Sequence, residues 1–256
     1  MRTKAEIVAN WLPRYTGLPV GSIGRHVLLT NFNQYLQLFA EWHDVPIAGA
    51  DRPMPSATAG EITMINFTMG SANAATIMDL LGAVQPRAVL FLGKCGSVKS
   101  DLTLGHLILP IAAIRGDGTS NDYFPPEVPA LPAFALQKAV STTIRENSKD
   151  YWTGVVYTTN RRVWEHDDEF KSYLQQTRCM AIDMETATIF IVGFHNHIPT
   201  GALLLVSDSP MTPEGIKTAA SDDKVNREYV ADHLRIGIEA LKQIIEERQT
   251  VKHLHF

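Results

Sequence analysis

Short apolar strands alternating with helical segments make this chain an α/β protein, with a central mixed or largely parallel sheet flanked by helices on both faces. Three observations predict it. The runs Ala88-Val89-Leu90-Phe91-Leu92 and Ala202-Leu203-Leu204-Leu205-Val206-Ser207 are apolar without alternation, as strands covered on both faces are. A strand-like run from Ile62 to Phe67 passes through Thr68-Met69-Gly70-Ser71 directly into a small-residue helix, Ala72 to Leu81. Near the C-terminus Val230, Leu234, Ile238, Leu241 and Ile245 recur every three or four residues on a charged background, the stripe of an amphipathic helix packed on the body.

In chain order the strand candidates are Val27 to Thr30, Ile62 to Phe67, Ala88 to Leu92, Leu107 to Ile114, Gly154 to Thr158 and Ala202 to Ser207, with helices between them. The Gly70-Ser71 turn leads into a helix start, where free backbone N–H groups and the helix dipole suit an anion or a hydroxyl. Gly93-Lys94-Cys95-Gly96-Ser97 reads as a second glycine turn after a strand. Its glycines would let the backbone approach a ligand while Lys94 supplies charge, the alternative being a solvated loop lysine. From Arg115 to Pro132 the chain carries Gly116, Gly118 and the prolines 125, 126, 129 and 132, which predict an irregular loop at a site or a subunit interface. Asp183-Met184-Glu185 then opens an apolar helical stretch, and Asp208 ends the last strand.

Composition limits the function classes. With 256 residues, 45% apolar and 20% charged, the chain has ordinary globular usage and no linker, repeat or low-complexity run, so one domain over residues 1–256 is expected. A net charge of −4 gives no basic face for nucleic acid. Cys95 and Cys179 are isolated thiols outside any C-x-x-C pattern, as in a cytoplasmic protein, and Cys179 reads as core or surface. The sequence shows neither a signal-peptide core nor an apolar run long enough to span a membrane, so no membrane association is expected.

Asp208 and Glu185 carry the chemical signal. A strand ending in Ser-Asp places a carboxylate at the rim of an α/β sheet, where such folds collect ligands. Two acids so placed can divide labour, one protonated to serve a leaving group and one ionised to grip hydroxyls, as in glycosidic bond cleavage. The plain reading of each is a helix cap or a turn residue.

Taken together, Met69-Gly70-Ser71-Ala72-Asn73-Ala74, Gly93-Lys94-Cys95-Gly96, Asp183-Met184-Glu185 and Val206-Ser207-Asp208 resemble, in order and spacing, the nucleoside phosphorylase and nucleosidase superfamily. Gly105 to Pro110, Arg115 to Gly118, Pro125 to Pro129 and Trp164-Glu165 are similar to its AMP nucleosidase branch, and the likeness runs from about residue 25 to the end. It implies the single-domain phosphorylase/hydrolase-type fold, a purine nucleotide substrate, no cofactor or metal, and a homo-oligomer, a hexamer of paired subunits. The implied reaction is hydrolysis of AMP to adenine and ribose 5-phosphate. Two other readings stand beside it: a phosphorylase or nucleosidase for unphosphorylated nucleosides, and a non-catalytic purine-nucleotide-binding protein. Larger AMP nucleosidases carry an N-terminal regulatory domain, whereas about two dozen residues precede Val27 here, so activity independent of MgATP is expected.

By the same resemblance Asp208 is the general acid at purine N7, supported by Ser207, and Glu185 accepts the ribose hydroxyls with Met184 beneath the sugar, unless Met184 is core filler. The purine wall falls in Tyr157 to His166, with Asn160 nearby and Trp164 as the stacking surface or buried under the next helix. For the 5′-phosphate the candidates are Lys94, Arg115, Arg161 and Arg162, preferred in the order Arg162, Arg115, Lys94, with residues near Thr30-Asn31 and from a neighbouring subunit beside them. Two departures bear on the nucleophile. Where the phosphorylases place an arginine and a Ser or Thr for inorganic phosphate, this chain has Phe91 and Lys94, which removes a bidentate clamp. Where methylthioadenosine-type nucleosidases place a glutamate for water, it has Thr30-Asn31-Phe32. Water is the expected nucleophile, with no base assigned to it.

Overall fold

The computed structural model describes residues 2–247. Among them eight strands form one sheet: β1 His26–Thr30, β2 Ser56–Ala59, β3 Ile62–Asn66, β4 Ala88–Ser97, β5 Leu107–Gly116, β6 Trp152–Thr159, β7 Ala181–Asp183 and β8 Thr200–Asp208. Their order is β2-β3-β1-β4-β7-β6-β5-β8, and β8 also pairs with β4, which closes the second half of the sheet on itself. β1 pairs in parallel with β3 and β4, and β4 with β8, so all four run the same way. Antiparallel contacts of β2 with β3, β4 with β7 and β5 with β8 make the sheet mixed.

The helices are α1 Lys4–Thr16, α2 Asn33–His43, α3 Ser71–Leu80, α4 Phe134–Glu146, α5 Asp168–Gln176, α6 Thr186–His195, α7 Ala219–Glu228 and α8 Val230–Glu246. Successive strand residues point to opposite faces, and both faces are covered. Val27, Leu29, Ile65, Val89, Phe91, Leu204 and Val206 pack with α1, α3 and α6 in one core. Leu28, Met64, Leu90, Leu92, Leu203 and Leu205 pack with α2, α4 and α8 in the other. The stripe of α8 is buried there at Val230, Leu234, Ile238 and Leu241, as its spacing predicts.

The second glycine segment is not a turn. Gly93 to Ser97 continues β4, because Gly93, Lys94 and Cys95 find ladder partners in Leu204, Leu205 and Val206. The register then shifts between Cys95 and Gly96, which pairs with Asp208 and leaves Ser207 as the extra residue. A bulge of this kind bends the strand and re-aims the side chain that follows it, here Asp208.

The proline-rich stretch is less irregular than its composition predicts. Arg115 and Gly116 belong to β5, a short 3-10 turn spans Thr119–Asp122, and Ala113 bridges to Ala130. The loop packs on α3 and α6, where Tyr123 Oη donates to Asp79 at 2.8 Å and Phe124 meets Phe194 with ring centroids 5.2 Å apart. Helix α7 and three other elements have no counterpart in the sequence reading. α1 starts at a capping box of Thr3 and Glu6, while β2 and β7 are only four and three residues long.

Candidate active site

Parallel strands β1, β3, β4 and β8 end on one side, and a cleft opens there. It brings together Asp208, Glu185, Lys94, Cys95, Gly96, Arg162, Trp164, Met184 and Ser207 among the predicted residues. Asn31, Phe32, Met69, Thr159, Arg161, Glu165, Ile182, Asp183, Pro210 and Lys217 complete its lining.

Glu185 is the residue before α6, buried to 2% exposure. Its Oε1 accepts the backbone N–H of Gly70 at 2.7 Å, and Ser71 Oγ donates to the Met184 carbonyl at 2.6 Å. Gly70 and Ser71 therefore stand behind the acid and hold it, outside the cleft lining. Gly70 has φ +98°, a conformation that suits glycine and aims its N–H across the gap. Asp183 caps α6: its oxygens accept from Thr158 Oγ1, Thr186 N, Thr186 Oγ1 and Glu185 N. Burial and then the neighbouring Asp183 charge push the Glu185 carboxyl up to about 8. Burial also raises Asp183, but its four donors favour its charge, so Glu185 is the member of the pair that takes the proton.

Asp208 sits at the mouth of the cleft with its side chain 13% exposed. Ser207 Oγ donates to its Oδ1 at 2.7 Å, and Lys217 Nζ lies 3.9 Å from the same atom. Gly96 makes room for it, since a Cβ there would lie 2.8 Å from Pro210 Cγ and 3.3 Å from Asp208 Oδ2.

Lys94 is neither in a turn nor solvated. Its side chain is 2% exposed, and its Nζ donates to Asn226 Oδ1 at 2.6 Å and Asp222 Oδ1 at 3.1 Å while lying 4.4 Å from the Phe32 ring centre. Burial lowers its pKa, and the Asp222 carboxylate opposes that. Lys217 approaches the same Asp222 oxygen at 3.5 Å. Two ammoniums thus share one carboxylate at the start of α7, an arrangement that no local motif announces.

The remaining predicted residues separate. Trp164 is 4% exposed and packs edge-on against Phe170 of α5, centroids 5.4 Å apart, so its ring is committed to that packing where it meets the cleft. Arg161 pairs with Asp167 at 2.9 Å and Arg162 with Glu165 at 3.3 Å, both half-exposed. Asn160 and Arg115 do not line the cleft. Arg115 binds its own loop, donating to Ser120 Oγ and Asn121 Oδ1 and to the carbonyls of Ser120, Phe124, Pro125 and Val128. A guanidinium so engaged has no donors left for a phosphate, so Arg115 is removed from the phosphate candidates. Cys95 is buried, which raises its thiol pKa well above the usual range. Among the described residues no group of acids, histidines and cysteines is placed to hold a metal, and no helix is long and apolar enough to cross a membrane.

A cleft at the ends of β1, β4 and β8, with an acid from β8 facing one from the start of α6, meets a match over nearly the whole chain: the phosphorylase superfamily profile covers residues 25–247. The chain belongs to this superfamily. Within the superfamily, it is 53% identical to the crystal structure of AMP nucleosidase from Bacteroides thetaiotaomicron, with a TM-score of 0.87, covering 96% of this chain and 99% of that one. It is 29% identical over 276 residues to AMP nucleosidase of Escherichia coli, covering 90% of this chain and 57% of that protein's length. Uridine phosphorylase of Treponema pallidum is 23% identical over 252 residues, covering 91% and 94%. Purine nucleoside phosphorylase from Toxoplasma gondii shares the fold at a TM-score of 0.80 and 17% identity, over 90% and 95% of the two chains.

Proposed function

We propose that this chain hydrolyses the N-glycosidic bond of AMP, giving adenine and ribose 5-phosphate. One observation carries the reading: Asp208 and Glu185 face the same cleft in a chain 53% identical to an AMP nucleosidase of matching length. Cleavage leaves a cationic sugar and an anionic base, so it needs a proton for the base and a negative group near the sugar. Asp208 gives its proton to purine N7, with Ser207 fixing the carboxyl by its hydrogen bond. Glu185 takes the ribose hydroxyls.

Water is the nucleophile in this account, because Phe91 is buried in the core and Lys94 is bound to Asp222 and Asn226, leaving no guanidinium clamp for inorganic phosphate. The 5′-phosphate would be met by the exposed or half-exposed cations of the cleft wall, Arg162, Arg161 and Lys217. A cytoplasmic location and a homohexamer are part of the proposal; exposed apolar side chains at Ile111, Leu131, Phe134 and Trp152 support self-association. Chromatography of products from AMP, adenosine and inosine, each with and without inorganic phosphate, tests the reaction. Adenine from AMP in the absence of phosphate supports it; a strict need for phosphate, or equal cleavage of adenosine, favours the phosphorylase or nucleoside-specific alternatives.

A further inference from the structure

We propose that Asn73 is a positioning residue for Glu185, acting through the single peptide unit that joins Met69 to Gly70. The inference rests on the reading of Glu185 as the acid at the sugar. Asn73 stands in the Met69-Gly70-Ser71-Ala72-Asn73-Ala74 motif as the third residue of α3, half-buried and outside the cleft lining. Its Nδ2 donates to the Met69 carbonyl at 2.8 Å and to Thr68 Oγ1 at 2.9 Å. A carbonyl only accepts, so the N–H₂ end of the amide must face the turn.

On the other side of the same peptide, Gly70 N donates to Glu185 Oε1 at 2.7 Å. The Met69 carbonyl and the Gly70 N–H share one plane and point in opposite directions, because the bond between them is trans and does not rotate freely. Holding the carbonyl therefore aims the N–H. Hydrogen bonds in series also polarise one another, so the Asn73 amide makes the Gly70 N–H a stronger donor to the carboxylate. The turn needs such a hold. Thr68 has φ +67°, costly for a β-branched residue, and the Met69 side chain between it and Gly70 is 47% exposed, so its own packing does little to fix the peptide. The other bonds of the turn run from Thr68 N to Asn66 Oδ1 at 3.0 Å and from Thr68 Oγ1 to the Phe67 carbonyl at 2.6 Å, and neither reaches the Met69 carbonyl.

The Gly70 N–H favours the charged form of Glu185, the form that accepts from ribose hydroxyls. Loss of its aim raises the proton affinity of that carboxyl further. The charged groups around Glu185 stay in place when Asn73 is replaced: Asp183 beside it, and Lys94, Asp208, Lys217, Arg161, Arg162 and Glu165 in the cleft.

The test measures denaturant midpoints from pH 5 to 9.5, and kinetics with AMP, for the full-length wild type, Asn73→Ala, Thr68→Ala, Glu185→Gln and the Asn73→Ala/Glu185→Gln pair. Alanine suits the third position of α3, so the variant folds. A Glu185 pKa raised further extends the loss of stability to higher pH, so the drop in midpoint caused by Asn73→Ala should grow across this range. The shift is expected to be about 0.5–1 pH unit. In the Glu185→Gln background the drop should be the same at every pH. kcat should fall about 10-fold with KM little changed. Thr68→Ala loosens the same turn and leaves the Met69 bond, so its cost should not vary with pH. A pH-independent cost of Asn73→Ala, or an equal pH dependence in Thr68→Ala, would overturn the assignment. If the pH-dependent cost is found and the wild type does not cleave AMP, the reading of the reaction fails and the link from Asn73 to Glu185 stands.

Discussion

The backbone N–H of Gly70 donates to Glu185 Oε1 at 2.7 Å, tying the start of α3 to the start of α6 across the floor of the cleft. The Gly70 and Met184 backbones and the Asn31 side chain all favour the charged carboxylate, but together they do not offset its burial beside Asp183. The Glu185 pKa rises to about 8 from an ordinary 4.5. Between those values the folded protein holds a proton that the unfolded chain has released, so stability falls as pH rises from about 4.5 through 8. The expected loss is on the order of a few kcal/mol, read as a falling midpoint in denaturant titrations from pH 5 to 9. Glu185→Gln should flatten that dependence; an equal slope in the variant would contradict the assignment of the proton.

Asp208→Asn removes the donor for the purine and leaves the Ser207 hydroxyl a similar partner. kcat is expected to fall about 10²–10⁴-fold with KM nearly unchanged. Steady-state kinetics decides it, and near-normal turnover would exclude Asp208 as the acid.

Lys94 fastens α7 to β4 through Asp222 and Asn226, and Val225 is the buried residue of that helix. Lys94→Met should cost only about 1 kcal/mol globally, because Asp222 is partly exposed and keeps Lys217. The local effect is larger: amide exchange in residues 219–228 should speed up while β4 stays protected. Uniform exchange rates in wild type and variant would show that α7 is held by other means.

Arg115→Ala should destabilise the protein by about 2–4 kcal/mol, since four loop carbonyls lose their donor. The preference for AMP over adenosine should not change. Arg162→Ala should do the reverse, with little effect on melting and a narrower preference. Arg162 lines the cleft and is tied only to a neighbouring glutamate.

The sheet and its helices were legible because both-face burial writes continuous apolar runs, and the C-terminal stripe has a helical period. The strand ends at Asp208 and the helix start at Glu185 followed from the same signals. What was not legible depends on pairing across the fold. Gly93 to Ser97 has turn composition and becomes strand because β8 and then β7 lie alongside it. Lys94 carries no local sign of burial, since Asp222 and Asn226 come from more than a hundred residues away. Arg115 looks like a free cation until its loop folds around it. β7 is too short for periodicity to register.

The most direct test of the account is the fate of oxygen in the sugar product. AMP is incubated with the protein in oxygen-18 water, with inorganic phosphate present, and the products are read by mass spectrometry. Adenine and ribose 5-phosphate carrying one oxygen-18 at C1 are the expected products. A phosphoryl group at C1, with no label incorporated there, would show that phosphate and not water attacks, and would contradict it.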